Sequence, residues 1–273
     1  MAPGGKTLTP LPEEKALSAY LKRLGHVAIA FSGGCDSTLL TAFAIRELGA
    51  EHVLPVHVSI PMTIEQETRE ALRFAEHLGA RCLNLKLDVL QLPEIVRNDK
   101  WRCYHCKKYL FTEILRAAAE NGFRTLLDGA NVDDSGDWRP GARAADELGV
   151  LHPFVECGFG KRRIRLVSRR MGLASWTMPA AACLASRIPT GIPLTREMLH
   201  RCGEAESILA RLGFSGCRVR CLEGNCASLE FRGPALSRAF RLRKTIEESL
   251  APCGFSAILL DPAGYRRGSM NKL

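Results

Sequence analysis

No stretch of the 273-residue sequence approaches the roughly 18 consecutive apolar residues that a membrane-spanning helix needs. The first sixteen residues also lack the hydrophobic segment of a secretory signal. These two absences argue against a membrane partner and make the cytoplasm the expected location. No internal repeat or low-complexity tract is present, which leaves a globular chain of one or two domains, with 46% apolar residues to build its core. Acidic residues are outnumbered 29 to 38 by Lys and Arg, giving a formal charge of +9. That surplus suits either a nucleic acid or a small anionic substrate, and composition does not choose between them. Cysteine is not scarce, but eleven is an odd count in a chain too long to be a small secreted scaffold. Reduced thiols are therefore expected, most of them filling the core as small apolar side chains.

The chain is organised around Val27, Ile29 and Phe31, an alternating apolar run that breaks into Ser32, Gly33, Gly34, Cys35, Asp36 and Ser37 and continues as a helix over 37–48. A strand, a glycine turn and a helix N-terminus together form an anion site. The first helical N–H groups have no partner within the helix, and the helix dipole is positive at that end. Ser32, Ser37 and Thr38 add hydroxyl donors. Asp36 is out of place in a purely anion-binding loop, so its expected task is to hold a Mg²⁺ that bridges phosphate oxygens. No GK[ST] follows, so the loop is not that of a Walker-type nucleotidase. It resembles the PP-loop of the ATP pyrophosphatases, SGGxDS after the first strand. That resemblance implies cleavage of ATP between its α and β phosphates with transfer of AMP.

Apolar periodicity predicts a helix over 13–24, a strand at 53–58, a helix at 63–78, a strand at 81–87, a helix at 103–120 and a strand at 125–127. Helices over 141–148 and 161–171 follow. This alternation implies an α/β fold with a parallel sheet. The polar loop 128–137 sits at a strand's carboxyl end, where open α/β sheets bind ligands, which makes Asp128 and Gly129 a candidate nucleotide wall. A boundary is expected near 172–176. Beyond it, MPAAACLASRIPTGIP interrupts the periodicity with three prolines, and a helix at 195–212, strands at 217–221 and 227–231, a helix at 234–250 and a strand at 256–260 read as a small α+β domain. The expected organisation is an N-terminal extension and helix (1–25, loose over 1–12), a nucleotide-binding domain (26–175), and an irregular loop with the small domain (176–273).

Four segments carry candidate chemistry. WRCYHCK holds a CxxC pair, Cys103 and Cys106, which fits half of a zinc or iron–sulfur site, a redox pair, or simple packing. Cys183 lies in the proline-bounded loop with Ser186 and Arg187 close behind it; a neighbouring guanidinium lowers a thiol pKa, while the alternative is an inert buried cysteine. In CRVRC, alternation puts Arg218 and Arg220 on one strand face about 7 Å apart, suited to gripping a phosphate monoester or else forming an exposed basic face. On the helix over 195–212, Glu206 falls within an apolar stripe. It is either a metal ligand or acid–base group, or a carboxylate paired to a neighbouring arginine.

Taken together, SGGCDS, WRCYHCK, DGANVDDSGDWRPG, PAAACLASRIPTG, CRVR and GYRRGSMN resemble, in order, the LarE family of ATP-dependent sacrificial sulfur transferases. The resemblance implies a parallel-sheet PP-loop domain of the adenine nucleotide alpha hydrolase type followed by a small α+β domain. The implied reaction is conversion of a carboxylate of pyridinium-3,5-biscarboxylic acid mononucleotide to a thiocarboxylate, a step towards the nickel-pincer nucleotide of lactate racemase. It implies ATP and Mg²⁺ as cofactors and other nickel-pincer pathway proteins as partners. Cys183 takes the position of the sacrificial sulfur donor, with ATP at 32–37, the substrate phosphate on Arg218 and Arg220, Trp101 lining the substrate pocket, and metal or acid–base roles near Glu206. Family members without the sacrificial cysteine use a cluster on three cysteines; the presence of Cys183 disfavours that route here. The resemblance also implies a homo-oligomer, with a hexamer among the candidate forms. A tRNA-thiolating enzyme and a non-catalytic nucleotide sensor rank below this reading, because no recognisable RNA-binding module flanks the core.

Overall fold

The computed structural model describes residues 9–134, 140–178 and 182–266. The helices are α1 (Pro12–Leu24), α2 (Cys35–Leu48), α3 (Glu65–His77), α4 (Pro93–Val96), α5 (Arg102–Glu120), α6 (Pro140–Glu147), α7 (Pro153–Glu156), α8 (Lys161–Arg170), α9 (Arg196–Arg211), α10 (Pro234–Arg241) and α11 (Arg243–Leu250). The strands are β1 (Val27–Ala30), β2 (Val53–Ser59), β3 (Leu83–Lys86), β4 (Leu126–Leu127), β5 (Arg218–Leu222), β6 (Cys226–Glu230) and β7 (Ala257–Leu260). Among the described residues no helix is long and apolar enough to cross a membrane.

The chain divides into two compact units. The first holds a four-stranded sheet in the order β3-β2-β1-β4, with β1 parallel to both neighbours (Val27 beside Val53, Ala28 beside Leu126). A central parallel strand is covered on both faces, which is why β1 reads as the unbroken apolar VAIA. Ile29 packs with Leu17 and Leu21 of α1, Leu39, Leu40 and Phe43 of α2, and Ile164 and Val167 of α8. Ala28 packs on the other side with Leu54, Phe111, Ile114 and Leu126. Each fully buried Leu or Phe contributes about 2 kcal/mol of transfer free energy. Because β2 and β4 flank β1 on opposite sides, strand order reverses at β1, and the loops after β1 and β4 border the crevice where such sheets take ligands.

The second unit carries a sheet in the order β5-β6-β7, antiparallel between β5 and β6 and parallel between β6 and β7. Its core joins Ala205 and Leu209 of α9 to Phe214, Val219, Ala227, Leu229, Phe231, Ile246 and Leu250. Two expectations need correction here. The helix predicted over 234–250 is two helices, broken at Leu242 (φ −100°, ψ 19°). The unit also does not begin at 176, for residues 59–66 and 86–106 belong to it. Hydrogen bonds explain why: Met62 O accepts from Leu184 N (3.1 Å), and Val96 O accepts from Leu194 N (2.8 Å). Those bonds join segments far apart in sequence, which periodicity does not register. Parts of the predicted loose N-terminus (1–8), of the loop 128–137 (135–137) and of PAAACLASR (179–181), and the closing motif from 267 onward, lie outside the described residues.

Candidate active site

In the first unit, the turn after β1 has the geometry of an anion cradle. Gly33 has φ +77°, and a Cβ on it would lie 2.5 Å from Ala71 Cβ on α3, so only glycine fits. The hydroxyls of Ser32 and Ser37 lie 3.0 Å apart, Ser37 Oγ accepts from Ser32 N (3.2 Å), and Ser32 Oγ accepts from Gly34 N (3.3 Å). The helical ladder starts with Thr38 N donating to Gly34 O (3.0 Å). The N–H groups before it are those that a helix leaves to a ligand. Thr38 is buried at 1% exposure, and its hydroxyl has no hydrogen-bond partner within the protein. Ser37 to Ala44 are all buried, so α2 is packed on every side along its first turns.

Asp36 accepts from Asn131 Nδ2 (3.2 Å), and the same amide nitrogen donates to Asp134 Oδ2 (2.9 Å). Asn131 is completely buried and links two carboxylates that otherwise repel. Burial raises the Asp36 pKa, Asp134 adds to the rise, and Lys161 and Arg165 of α8 oppose it. Asn131 falls within the motif DGANVDDSGDWRPG, but nothing local marks it as the link between two carboxylates. Gly129 abuts this turn, for a Cβ on it would stand 3.1 Å from Ser37 N. Asp128, expected to line the nucleotide, is buried and accepts from Ala130 N (3.0 Å). Its carboxylate meets His152 Nδ1 at 2.6 Å and Lys107 Nζ at 3.9 Å, so it braces the wall.

In the second unit, Cys183 is exposed and leads into the turn Leu184–Arg187. Its carbonyl accepts from Ser186 N (2.9 Å), Ser186 Oγ (2.8 Å) and Arg187 Nη1 (3.3 Å). Protein atoms nevertheless crowd round the sulfur. That crowding desolvates the thiolate and raises the pKa, which the amide of Ala185 and the charges of Arg102 and Arg187 only partly offset. The expectation of a lowered pKa from Arg187 is thus corrected: the guanidinium acts in the expected direction but desolvation outweighs it.

Arg187 is 1% exposed and pairs with Glu206 through Nε–Oε1 (2.6 Å) and Nη2–Oε2 (2.8 Å). It also holds Ala182 O (2.9 Å) and Ser186 Oγ (2.8 Å). Glu206 Oε1 additionally accepts from Val219 N (3.0 Å). Of the two expectations for Glu206, the geometry is that of the carboxylate paired to an arginine. Among the described residues no group of three His, Cys, Asp or Glu is placed to hold a metal, and this covers Glu206 as well as the Cys103–Cys106 pair.

Arg218 and Arg220 are not an exposed basic face. The Arg218 side chain is 12% exposed and lies 3.9 Å from Glu206 Oε2. Arg220 is buried, pairs with Glu230 (2.7 Å) and donates to Ser186 O (2.6 Å). Three guanidiniums, Arg187, Arg218 and Arg220, therefore face two carboxylates, Glu206 and Glu230, leaving one positive charge in excess beside the Cys183 turn. Burial and the repulsion of Arg187 lower the Arg218 pKa. An incoming phosphate would relieve that repulsion. Tyr265 lies under Arg218 (5.8 Å) and Arg232 (4.1 Å), a contact that its motif GYRRGSMN does not reveal, because both arginines are distant in sequence. Trp101 is half-buried, its ring edge-on to Tyr104 at 6.2 Å.

The strand, glycine turn and helix on a parallel sheet, with a serine-lined cradle and an aspartate, define a PP-loop nucleotide-binding protein, and residues 13–102 match the family model described as NAD synthase. The chain is 34% identical, over 97% of its length and 96% of the relative's, to the pyridinium-3,5-bisthiocarboxylic acid mononucleotide synthase of Lactiplantibacillus plantarum, and it belongs to the LarE family. An uncharacterised protein of Synechocystis is 35% identical over 94% of this chain and 96% of its own, and one of Methanocaldococcus jannaschii 28% over 88% and 90%.

Proposed function

We propose that this protein is an ATP-dependent sulfur transferase that adenylylates a carboxylate of pyridinium-3,5-biscarboxylic acid mononucleotide and thiolates it with the sulfur of Cys183. The observation that carries the reading is near-full-length identity to a synthase of the bisthiocarboxylic mononucleotide. An open thiol beside an arginine-rich anion site supports it.

The cradle at 32–37 holds the ATP phosphates through its N–H groups and serine hydroxyls, orienting them for attack by the substrate carboxylate. Asp36, with Asp134 linked to it through Asn131, fits a Mg²⁺ that keeps its waters and phosphate ligands, since this cation needs only one or two carboxylates from the protein. When bound, it neutralises the charge developing on pyrophosphate. Glu206 does not fit a metal, because both its oxygens are committed to Arg187 and one also to Val219. Arg218 with Arg220 binds the substrate's phosphate.

Activation turns the carboxylate into an acyl adenylate and releases pyrophosphate. The Cys183 thiolate attacks the acyl carbon and expels AMP, giving a thioester. Loss of the Cys183 α proton then breaks Cβ–Sγ, leaving sulfur on the product and dehydroalanine at 183. The raised thiol pKa means that a proton must leave Cys183 when substrate arrives, rather than being absent beforehand.

Eleven free thiols favour a reducing, cytoplasmic setting. The homo-oligomer is retained as a proposal that light scattering tests. The densest basic run, α8, has three of its six basic side chains in internal ion pairs. Arg163 pairs with Glu13, Arg170 with Glu14 and Lys161 with Asp134, which weakens the RNA reading.

The test is intact-protein mass after incubation with ATP, Mg²⁺ and the biscarboxylate nucleotide. The expected result is loss of one H₂S, mapped to residue 183, with Cys183→Ser releasing pyrophosphate but delivering no sulfur. Thiolated product from a protein of unchanged mass would overturn the sacrificial role.

A further inference from the structure

The loop 182–194 has almost no regular structure, yet five of its hydrogen bonds run to one short segment, 96–102. Asn98 is fully buried with φ 55°, the left-handed region that asparagine tolerates better than most residues. Its Nδ2 donates to Pro189 O and to Ile192 O (both 2.8 Å), and its carbonyl accepts from Gly191 N (3.0 Å). Its Oδ1 accepts from Arg102 Nη1, so every polar atom of the buried side chain is used. Arg102 Nη1 reaches Ala185 O (3.3 Å), two residues from Cys183, and Nη2 reaches Cys103 Sγ (3.8 Å). Leu184 N and Leu194 N complete the fastening on Met62 O and Val96 O.

We propose that Asn98 and Arg102 are positioning residues for Cys183: Asn98 ties the loop down by its backbone, and Arg102 holds Ala185 O with a charged guanidinium two residues from Cys183. The inference rests on the reading of Cys183 as sulfur donor. The charge argument agrees with the surroundings of the thiol, where Arg102 and Arg187 favour the thiolate and the neighbouring Cys103 disfavours it. Arg187 is neutralised by Glu206 at 2.6 Å, which leaves Arg102 as the cation whose charge the thiolate feels most directly. A left-handed backbone at 98 aims one amide at two carbonyls of the same loop. Glycine would keep that backbone and lose the amide.

The experiment combines Asn98→Gly, Arg102→Gln and Arg102→Lys, each checked by melting. Iodoacetamide alkylation of Cys183 is followed against pH by peptide mass spectrometry, and sulfur delivered is measured per pyrophosphate released. In Arg102→Gln the alkylation midpoint should move to higher pH, and alkylation at neutral pH should slow about tenfold for every whole pH step that the midpoint climbs. Arg102→Lys should restore most of the midpoint. Asn98→Gly should deliver several-fold less sulfur per pyrophosphate. An unchanged midpoint in Arg102→Gln, or undiminished sulfur per pyrophosphate in Asn98→Gly, overturns the proposal. Were Cys183 not the donor, the wild type would keep its mass, while the alkylation midpoints would still decide the role of Arg102.

Discussion

Arg187 and Glu206 form a two-pronged ion pair, 2.6 and 2.8 Å, with both side chains almost entirely removed from water. A buried pair is costly to break from one side, because the survivor is left charged and unsolvated. Glu206→Ala should therefore lower stability by about 3–5 kcal/mol. The double variant Arg187→Met with Glu206→Leu should recover most of it while losing sulfur transfer, since the Cys183 turn is no longer held. Urea unfolding of both proteins checks this; a fully stable but inactive Glu206→Ala would return that carboxylate to the chemistry.

The two strand arginines should separate. Arg218→Ala is expected to weaken binding of the nucleotide substrate by about 1–3 kcal/mol, the range for a charged hydrogen bond, while sparing ATP affinity. Arg220→Ala removes the 2.7 Å ion pair with the buried Glu230 and should also lower the melting temperature. Calorimetric titration with each ligand alongside thermal melts distinguishes them.

Gly33→Ala places a methyl 2.5 Å from Ala71 Cβ and holds alanine at a left-handed φ. The backbone alone costs about 1–2 kcal/mol. Because that methyl would also stand 2.7 Å from Ala71 Cα, a double-mutant cycle with Ala71→Gly should recover only part of the steric cost and none of the backbone part, and ATP binding should track the recovery.

Asp36→Asn should stop pyrophosphate release without destabilising the fold. Burial raises the Asp36 pKa, so above its unfolded value of about 3.9 the folded state is penalised for carrying the charge. Removing the charge should leave the melting temperature at pH 7 equal or higher. A lower melting temperature with normal pyrophosphate release would remove Asp36 from the reaction.

The Asp128–His152 contact gives a pH window. The side-chain hydrogen bond to Asp128 raises the His152 pKa, so its contribution is full below about 6.5 and fades as pH rises through the folded value. Asp128 moves the other way. Its burial alone would raise its pKa, but His152 and Lys107 bring the net pKa down, so its contribution is lost as pH falls below about 3.9 and through the folded value. The destabilisation caused by His152→Gln should be largest at about pH 4–6.5 and should shrink above it, as read from melting curves across pH.

Much of this protein was written locally. The apolar VAIAF run, the SGG turn and the apolar stripes of the helices predicted the parallel sheet and its cradle, because strand and helix periods are properties of neighbouring residues. The split at Leu242 is hidden for the converse reason, since 234–250 keeps a helical pattern across a backbone break that packing imposes. The same boundary separates the site residues. Cys183, Arg218 and Arg220 were legible because they sit in distinctive short motifs. Asn98 lies outside those motifs, and Arg102, Asn131 and Tyr265 lie inside them without a legible role, for each acts on partners that only folding brings near: Asn98 on carbonyls at 189 and 192, Asn131 on Asp36, Tyr265 on Arg218. Sequence likewise supplied both Arg187 and Glu206 but not their pairing, and it showed the direction of the arginine's effect on Cys183 but not the desolvation that outweighs it. Charge, period and backbone permissiveness are local quantities, so the sequence determined them by itself. Burial and partnership are sums over the whole packed chain, and only the tertiary structure decided which charges are spent on each other and which are left for a ligand.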